Sequence, residues 1–167
     1  MMKTSLSCLA FCSLFTACAS SPPPPPAAPM LAADNGQPKM QAAQQALEQA
    51  RMEAQAASPN KGGHRERAIG LIQQAESAVV AGMQYAAAHP AEVGEAYGPA
   101  PPEAVNEAVP GAEHQPHMWR AVVSLREARR QLREAGHDKG GYRVQALSLT
   151  QQAIDQLREG IAFANRH

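Results

Sequence analysis

The fold is decided by residues 37–89, QPKMQAAQQALEQARMEAQAASPNKGGHRERAIGLIQQAESAVVAGMQYAAAH, because this stretch occurs twice in the chain. Shifted by 78 positions, it aligns without a gap with residues 115–167, and about 20 of the 53 aligned residues are identical. A recurring unit of this kind is a supersecondary building block that packs against its neighbouring copy. We therefore expect two structurally similar halves.

Each copy carries two apolar stripes at helical spacing. The first stripe alternates steps of three and four residues, as in a coiled-coil seam: Met40, Ala43, Leu47, Ala50, Ala54 and Ala57, then Met118, Ala121, Leu125, Ala128, Leu132 and Ala135. The second stripe consists of Ala68, Ile72, Ala75, Val79, Gly82 and Ala86, then Ala146, Leu149, Ala153, Leu157, Gly160 and Ala164. These patterns predict, in each copy, a helix of about twenty residues followed by one of about twenty-four.

Short glycine-containing turns at residues 58–63 and 136–141 join the helices. Short connections make successive helices antiparallel, so each copy is predicted to be a helical hairpin. Two hairpins with exposed seams bury them against each other, which predicts an all-α four-helix bundle. Because alanine and glycine on the seams bury little area, we expect modest stability or help from a homodimer.

Residues 90–114 link the copies and carry five glutamates but no lysine or arginine. The prolines in this segment argue against a continuous helix. Two arrangements are open. The linker either runs back along the bundle, which we expect to make the two hairpins parallel, or it forms a loop at one end.

The first 17 residues have the features of a signal peptide, because Lys3 precedes an apolar stretch that is too short to span a bilayer. The stretch ends in Phe15-Thr16-Ala17-Cys18, which resembles the lipobox of bacterial lipoproteins. The resemblance implies that Cys18 carries lipid, palmitate included, and becomes the mature N-terminus. Ala19, where lipoproteins retained at the inner membrane often carry Asp, implies the periplasmic face of the outer membrane. The alternative is an ordinary secretory signal with a cysteine by chance.

Residues 18–36 are predicted to be a disordered tether, since prolines 22–26 form an unbroken run. Proline lacks a backbone donor and favours an extended polyproline II conformation. At about 3.1 Å per residue, such a tether would hold the folded part up to roughly 50 Å from the lipid.

The most motif-like element of the duplication is Lys61-Gly62-Gly63-x-Arg65, which returns as Lys139-Gly140-Gly141-x-Arg143. Glycines at a helix N-terminus expose backbone N–H groups, and with the basic residues they make a candidate anion site. The alternative is that the motif only builds a tight turn. The repeat, of the form Leu-x-x-Ala-Arg…Lys-Gly-Gly-(His/Tyr)-Arg…Gln-Gln-Ala, resembles one found in small alanine-rich bacterial exported proteins without assigned function. That resemblance implies the helical fold and brings no catalytic residues.

A second candidate site is an arginine-rich stretch of the third helix, formed by Arg126, Arg129, Arg130 and Arg133. Such a face suits anionic envelope components, namely peptidoglycan, anionic lipid or an acidic surface of another envelope protein. The alternatives are a solvated face, or charges paired with the acidic linker.

A third candidate is a metal site at His114, His117 and Met118, because histidine and methionine ligands suit copper in an oxidising compartment. The duplication argues against it, since Lys39 stands at the position equivalent to His117. Glu134-x-x-His137 resembles half of a di-iron motif, but its second copy begins at Ala56 and cannot ligate a metal.

The function class follows from these features together. No nucleophile elbow, phosphate loop or zinc-protease helix is present in the sequence, so we predict no enzyme activity and no cofactor. The compartment and the net charge of zero argue against nucleic acid as a partner. The predicted function is a non-enzymatic, lipid-anchored envelope protein with a binding or structural role. The alternative is a periplasmic metal-binding bundle of the copper type.

Overall fold

The computed structural model describes residues 38–59, 62–90, 109–135 and 140–167, and these residues form an all-α structure. The helices are α1 (Pro38–Ala56), α2 (His64–Ala88), α3 (Pro116–Glu134) and α4 (Tyr142–Ala164), with a short 3-10 helix at Ala112–His114 before α3. This confirms the predicted four-helix arrangement of two duplicated hairpins. The signal peptide, Cys18, the tether and most of the acidic linker lie outside the described residues.

The seam predicted from the coiled-coil spacing is the core of the structure. All twelve seam residues of the two first stripes are buried, and most of them have no exposed surface. Most are alanines, which let neighbouring helices approach closely but bury little area per residue. The larger core side chains come mainly from Met40, Leu47, Ile72, Leu132 and Leu157.

The predicted stripe of α4 is wrong at one step. Thr150 is fully buried, whereas Leu149 is only partly buried. Thr150 is the counterpart of Ile72 in the duplication, and its hydroxyl donates to the Ala146 carbonyl oxygen at 2.7 Å. That hydrogen bond satisfies the polar group inside the core, so a β-branched residue fits there without a polar penalty. Ala164, at the end of the same stripe, is also only partly buried.

The two hairpins pack head to tail. Helix α1 contacts α3 most extensively, and α2 contacts α4. Lys39 at the start of α1 meets Glu134 at the end of α3, and His117 at the start of α3 meets Glu53 near the end of α1. Both pairs of helices are therefore antiparallel, since Tyr85 near the end of α2 likewise meets the start of α4.

The expected parallel arrangement of the hairpins is therefore wrong, because their turns lie at opposite ends of the bundle. Helix α2 ends at the end where α1 begins, whereas α3 begins at the other end. The two points that the acidic linker joins are thus separated by the length of a helix, about 38 Å for 25 residues.

We predict that neither repeat is stably folded by itself. Each seam is covered by the other hairpin, and an isolated two-helix piece of this length is marginal in water. Residues 37–89 and 115–167, expressed separately, should show weak helical circular dichroism, and an equimolar mixture should recover the signal of the intact chain. Two stable, monomeric fragments with full helical signal would contradict the packing described here.

Candidate functional sites

The Lys-Gly-Gly turns are built by contacts between the two repeats. Gly63 and Gly141 precede α2 and α4 with φ of 69° and 76°, a left-handed conformation that side-chain-bearing residues rarely adopt. A Cβ at Gly62 would lie 2.6 Å from the ring of His64 in the same turn and 3.3 Å from the ring of Phe163 in the other repeat. A Cβ at Gly140 would likewise lie 2.8 Å from the ring of Tyr142 in the same turn and 3.1 Å from the ring of Tyr85 in the other repeat. In each turn, the second glycine is needed for its positive φ, and the first is needed because neighbouring rings leave no room for a side chain.

The motif arginines close the preceding helix. Arg65 donates from Nη1 to the carbonyl oxygen of Ala57, just beyond α1, and Arg143 donates to the Leu132 carbonyl oxygen at 3.2 Å. The last carbonyls of a helix lack partners within it, so these contacts satisfy them. The described part of the candidate anion site therefore serves the hairpin itself. Lys61 and Lys139 lie outside the described residues.

Aromatic and histidine rings cluster at both ends of the bundle. Tyr85 stacks on His89 with ring centroids 4.2 Å apart, and Phe163 stacks on His167 at 4.3 Å. The duplication makes these two stacks equivalent, which explains why the histidine that ends each copy is retained. The ring of His64 also lies 6.3 Å from that of Phe163.

The predicted arginine-rich surface is largely part of the fold. Arg126 is only 3% exposed and its guanidinium lies 5.3 Å from the centre of the Trp119 ring, so it is withdrawn as a surface residue. Arg130 donates to Glu127 from Nε at 2.9 Å and to Glu134 from Nη1 at 2.9 Å. The spacings of three and four residues between these charges are those at which side chains meet on a helix.

The remaining two arginines of the set differ in their surroundings. Arg129 is half-buried beside Asp155, and burial lowers its pKa although the aspartate acts in the opposite direction. Arg133 is the exposed member of the set. Of the four predicted contacts, Arg129 and Arg133 are therefore left as the accessible basic surface of α3.

The carboxylates of this network are held in their charged forms. Hydrogen bonds from Lys39 and Arg130 hold the pKa of Glu134 below its usual range, and those from Arg130 and Gln131 do the same for Glu127, in each case against the effect of burial. Glu134 is nearly buried, and with Lys39 it joins the start of α1 to the end of α3. The network thus links α1 to α3.

We predict an acid-sensitive contribution to stability from Glu134. Because its folded pKa lies below the ordinary 4.5, the contribution is present above that value and is lost as the pH falls through the lower, folded pKa. Urea unfolding at pH 6 should show Glu134→Gln to be less stable than the parent by about 1–2 kcal/mol. At pH 3 the difference should shrink. A difference that stays constant between the two pH values would contradict the assignment, and Glu48→Gln on the exposed face of α1 is the control.

The proposed metal ligands do not meet. Met118 is a core side chain with 1% exposure, and the Nδ1 atom of His117 lies 2.8 Å from a carboxylate oxygen of Glu53. His114 is exposed beside Glu113. Within the described ranges no three His, Cys, Asp or Glu side chains are grouped for a metal ion. The predicted metal site of His114, His117 and Met118 is therefore wrong, because Met118 is packed in the core and His117 contacts Glu53.

A groove between α2 and α4 was missed by the sequence reasoning. It has a volume of about 580 Å³ and is lined by Arg67, Gly70, Leu71, Gln74, Gln152, Asp155 and Gln156. The available signal was Gly70, a glycine inside a helical pattern and away from any turn. The groove is open to solvent, and most of its lining is polar.

In the described part of the chain, no helix is both long enough and apolar enough to cross a membrane. No protein-family model, curated protein or solved structure matches the chain.

Proposed function

We propose that the chain is a non-enzymatic, lipid-anchored protein of the bacterial envelope, in which a tethered helical bundle binds or spaces another envelope component. The observation that carries this proposal is the order of segments. The lipobox-like Phe15–Cys18 stretch is followed by a proline-rich segment, and α1 begins directly afterwards at Pro38. A folded unit that starts where a tether ends suits a domain held away from a lipid surface.

The bundle itself supports a binding or spacing role. Its interior is filled by small apolar side chains, and its arginines and glutamates are extensively paired with each other. Pairing of this kind rigidifies helices relative to each other, which suits a spacer or a preformed binding surface. A periplasmic location and an anchor in the outer membrane complete the proposal.

The test of the anchor is metabolic labelling with a radioactive fatty acid. We expect the full chain to be labelled in bacterial cells and the Cys18→Ser variant to lose the label. Cys12→Ser, in the apolar segment ahead of the lipobox, is the matched control and should keep the label. Label that persists in Cys18→Ser, or no label in the parent, would remove the anchor from the proposal.

The accessible basic residues of α3 are the proposed contact with anionic envelope components. We expect the double change Arg129→Gln and Arg133→Gln to weaken sedimentation with anionic lipid vesicles or with peptidoglycan, more strongly at low salt, because exposed charges are screened within about 8 Å at physiological ionic strength.

A matched control for this test uses Arg158 on α4 and Arg166 just beyond its end. The pair Arg158→Gln and Arg166→Gln makes the same change in net charge at other positions and should bind like the parent. Equal losses from the two pairs would show a general effect of net charge, and no loss from either would exclude α3 as the contact surface.

A further inference from the structure

The groove between α2 and α4 contains a glycine that the fold does not need. Gly70 lies in the interior of α2, where glycine is less favourable than alanine. A Cβ at this position would meet no atom within 4 Å, so neither a turn nor close helix packing requires its absence. Gly62 and Gly140 differ from it, because both lie under aromatic rings. The open space above Gly70 belongs to the groove.

The duplication supplies an internal comparison for the groove. Gln74 and Gln152 are equivalent positions that both line it, so the groove lies beside the approximate two-fold axis relating the repeats. The flanking positions have diverged: Arg67 corresponds to Gln145, Gly70 to Ser148 and Asp155 to Ser77. The seam alanines, in contrast, are largely the same in both copies. The charged residues and the open space above Gly70 thus lie on one side of the two-fold axis, on the face formed by α2 and α4. The equivalent positions on the other side carry uncharged residues.

Arg67 is the cation at the groove, and two hydrogen bonds orient its exposed side chain. Arg67 donates from Nη2 to the Gly62 carbonyl oxygen at 3.0 Å and from Nη1 to Gln156 at 3.4 Å. Gln156 is itself held, because its Oε1 atom lies 3.1 Å from Nδ1 of His64. A guanidinium has five N–H donors, so Arg67 keeps donors for a ligand while its position is set by the turn and by α4.

The other polar groups offer amides and one carboxylate. The side chain of Gln74 forms no hydrogen bond with the described part of the chain, and that of Gln152 uses only Nε2, towards Ser148 at 3.3 Å. One oxygen of Asp155 accepts from Gln151 at 2.9 Å, and Arg129 of α3 interacts electrostatically with the same carboxylate. Asp155 also lines the groove. Glutamine amides donate and accept, as peptide groups do. The groove volume lies in the range of small-ligand sites.

We propose that the groove between α2 and α4 binds a short peptide with a free carboxylate and a free ammonium group. Arg67 holds the carboxylate, Gln74 and Gln152 pair with the peptide amides, and Asp155 faces the ammonium group. The backbone of the ligand passes over Gly70. This adds a ligand class to the proposed binding role. It does not use the lipid anchor, and of the α3 arginines only Arg129 lies near it, beside Asp155.

The test is an NMR titration of the full chain with tetra-alanine, reading the side-chain amides of Gln74 and Gln152. We expect saturable shifts with the free peptide and binding about tenfold weaker or more with the peptide acetylated and amidated at its ends. Arg67→Gln, which copies the second repeat, should weaken binding to a similar extent. Ser148→Ala, in the mirrored half, should leave it unchanged.

Gly70→Ala separates a ligand role from a structural one. We expect it to weaken peptide binding while raising the melting temperature, since alanine is the better helix former and meets no clash. Equal binding of the blocked peptide, tighter binding of an N-acetylated disaccharide, unchanged affinity in both Arg67→Gln and Gly70→Ala, or no shift at millimolar peptide would overturn the proposal. Because the titration needs no lipid, a failed anchor and an empty groove give different results.

Discussion

Each hairpin turn is completed by a ring from the other repeat, and the rest of the structure depends on this exchange. His64 and Phe163 both lie against Gly62, and Tyr142 and Tyr85 both lie against Gly140, so one of the two rings at each turn comes from the other repeat. That second ring reaches the turn only when the hairpins are antiparallel. This contact sets the antiparallel order of α1 with α3 and of α2 with α4. The core between the helices is mostly alanine. The helices therefore pack through the close approach of their backbones and not through large side chains.

Because the alanine-rich core buries little apolar area, pairs of charged side chains contribute part of the stability. Lys39, Glu134, Arg130 and Glu127 form a connected set, and Arg51 bridges to Glu76 between α1 and α2 at 3.0 Å. Such networks contribute more than isolated surface pairs because each member fixes its neighbours. The same pairing explains why a helix rich in arginine presents little free positive charge.

The sequence was sufficient to predict the helices, their register and the bundle, because the spacing of apolar residues in both copies indicates which positions are buried. It failed at Leu149, where an apolar residue was preferred to Thr150, although the alignment with Ile72 pointed to the threonine. It also failed for Arg126, since residue type indicates charge but not burial against Trp119. The directions of the hairpins depended on contacts between residues far apart in sequence, such as Lys39 with Glu134, which no local pattern contains. The groove depended on open space above Gly70, which only the packed structure reveals.

The approximate two-fold relation between the repeats has a consequence for what such a bundle can recognise. Two identical hairpins in a homodimer would present every surface feature twice. A site lying on the two-fold axis would then bind a ligand equally well in either of two opposite orientations. Joining two copies in one chain removes that restriction, because each half accumulates its own substitutions while the shared seams keep the halves together. Arg67 and Asp155 have no matching charges at Gln145 and Ser77. The face between α2 and α4 therefore has a polarity, and a molecule lying on it would have a defined direction.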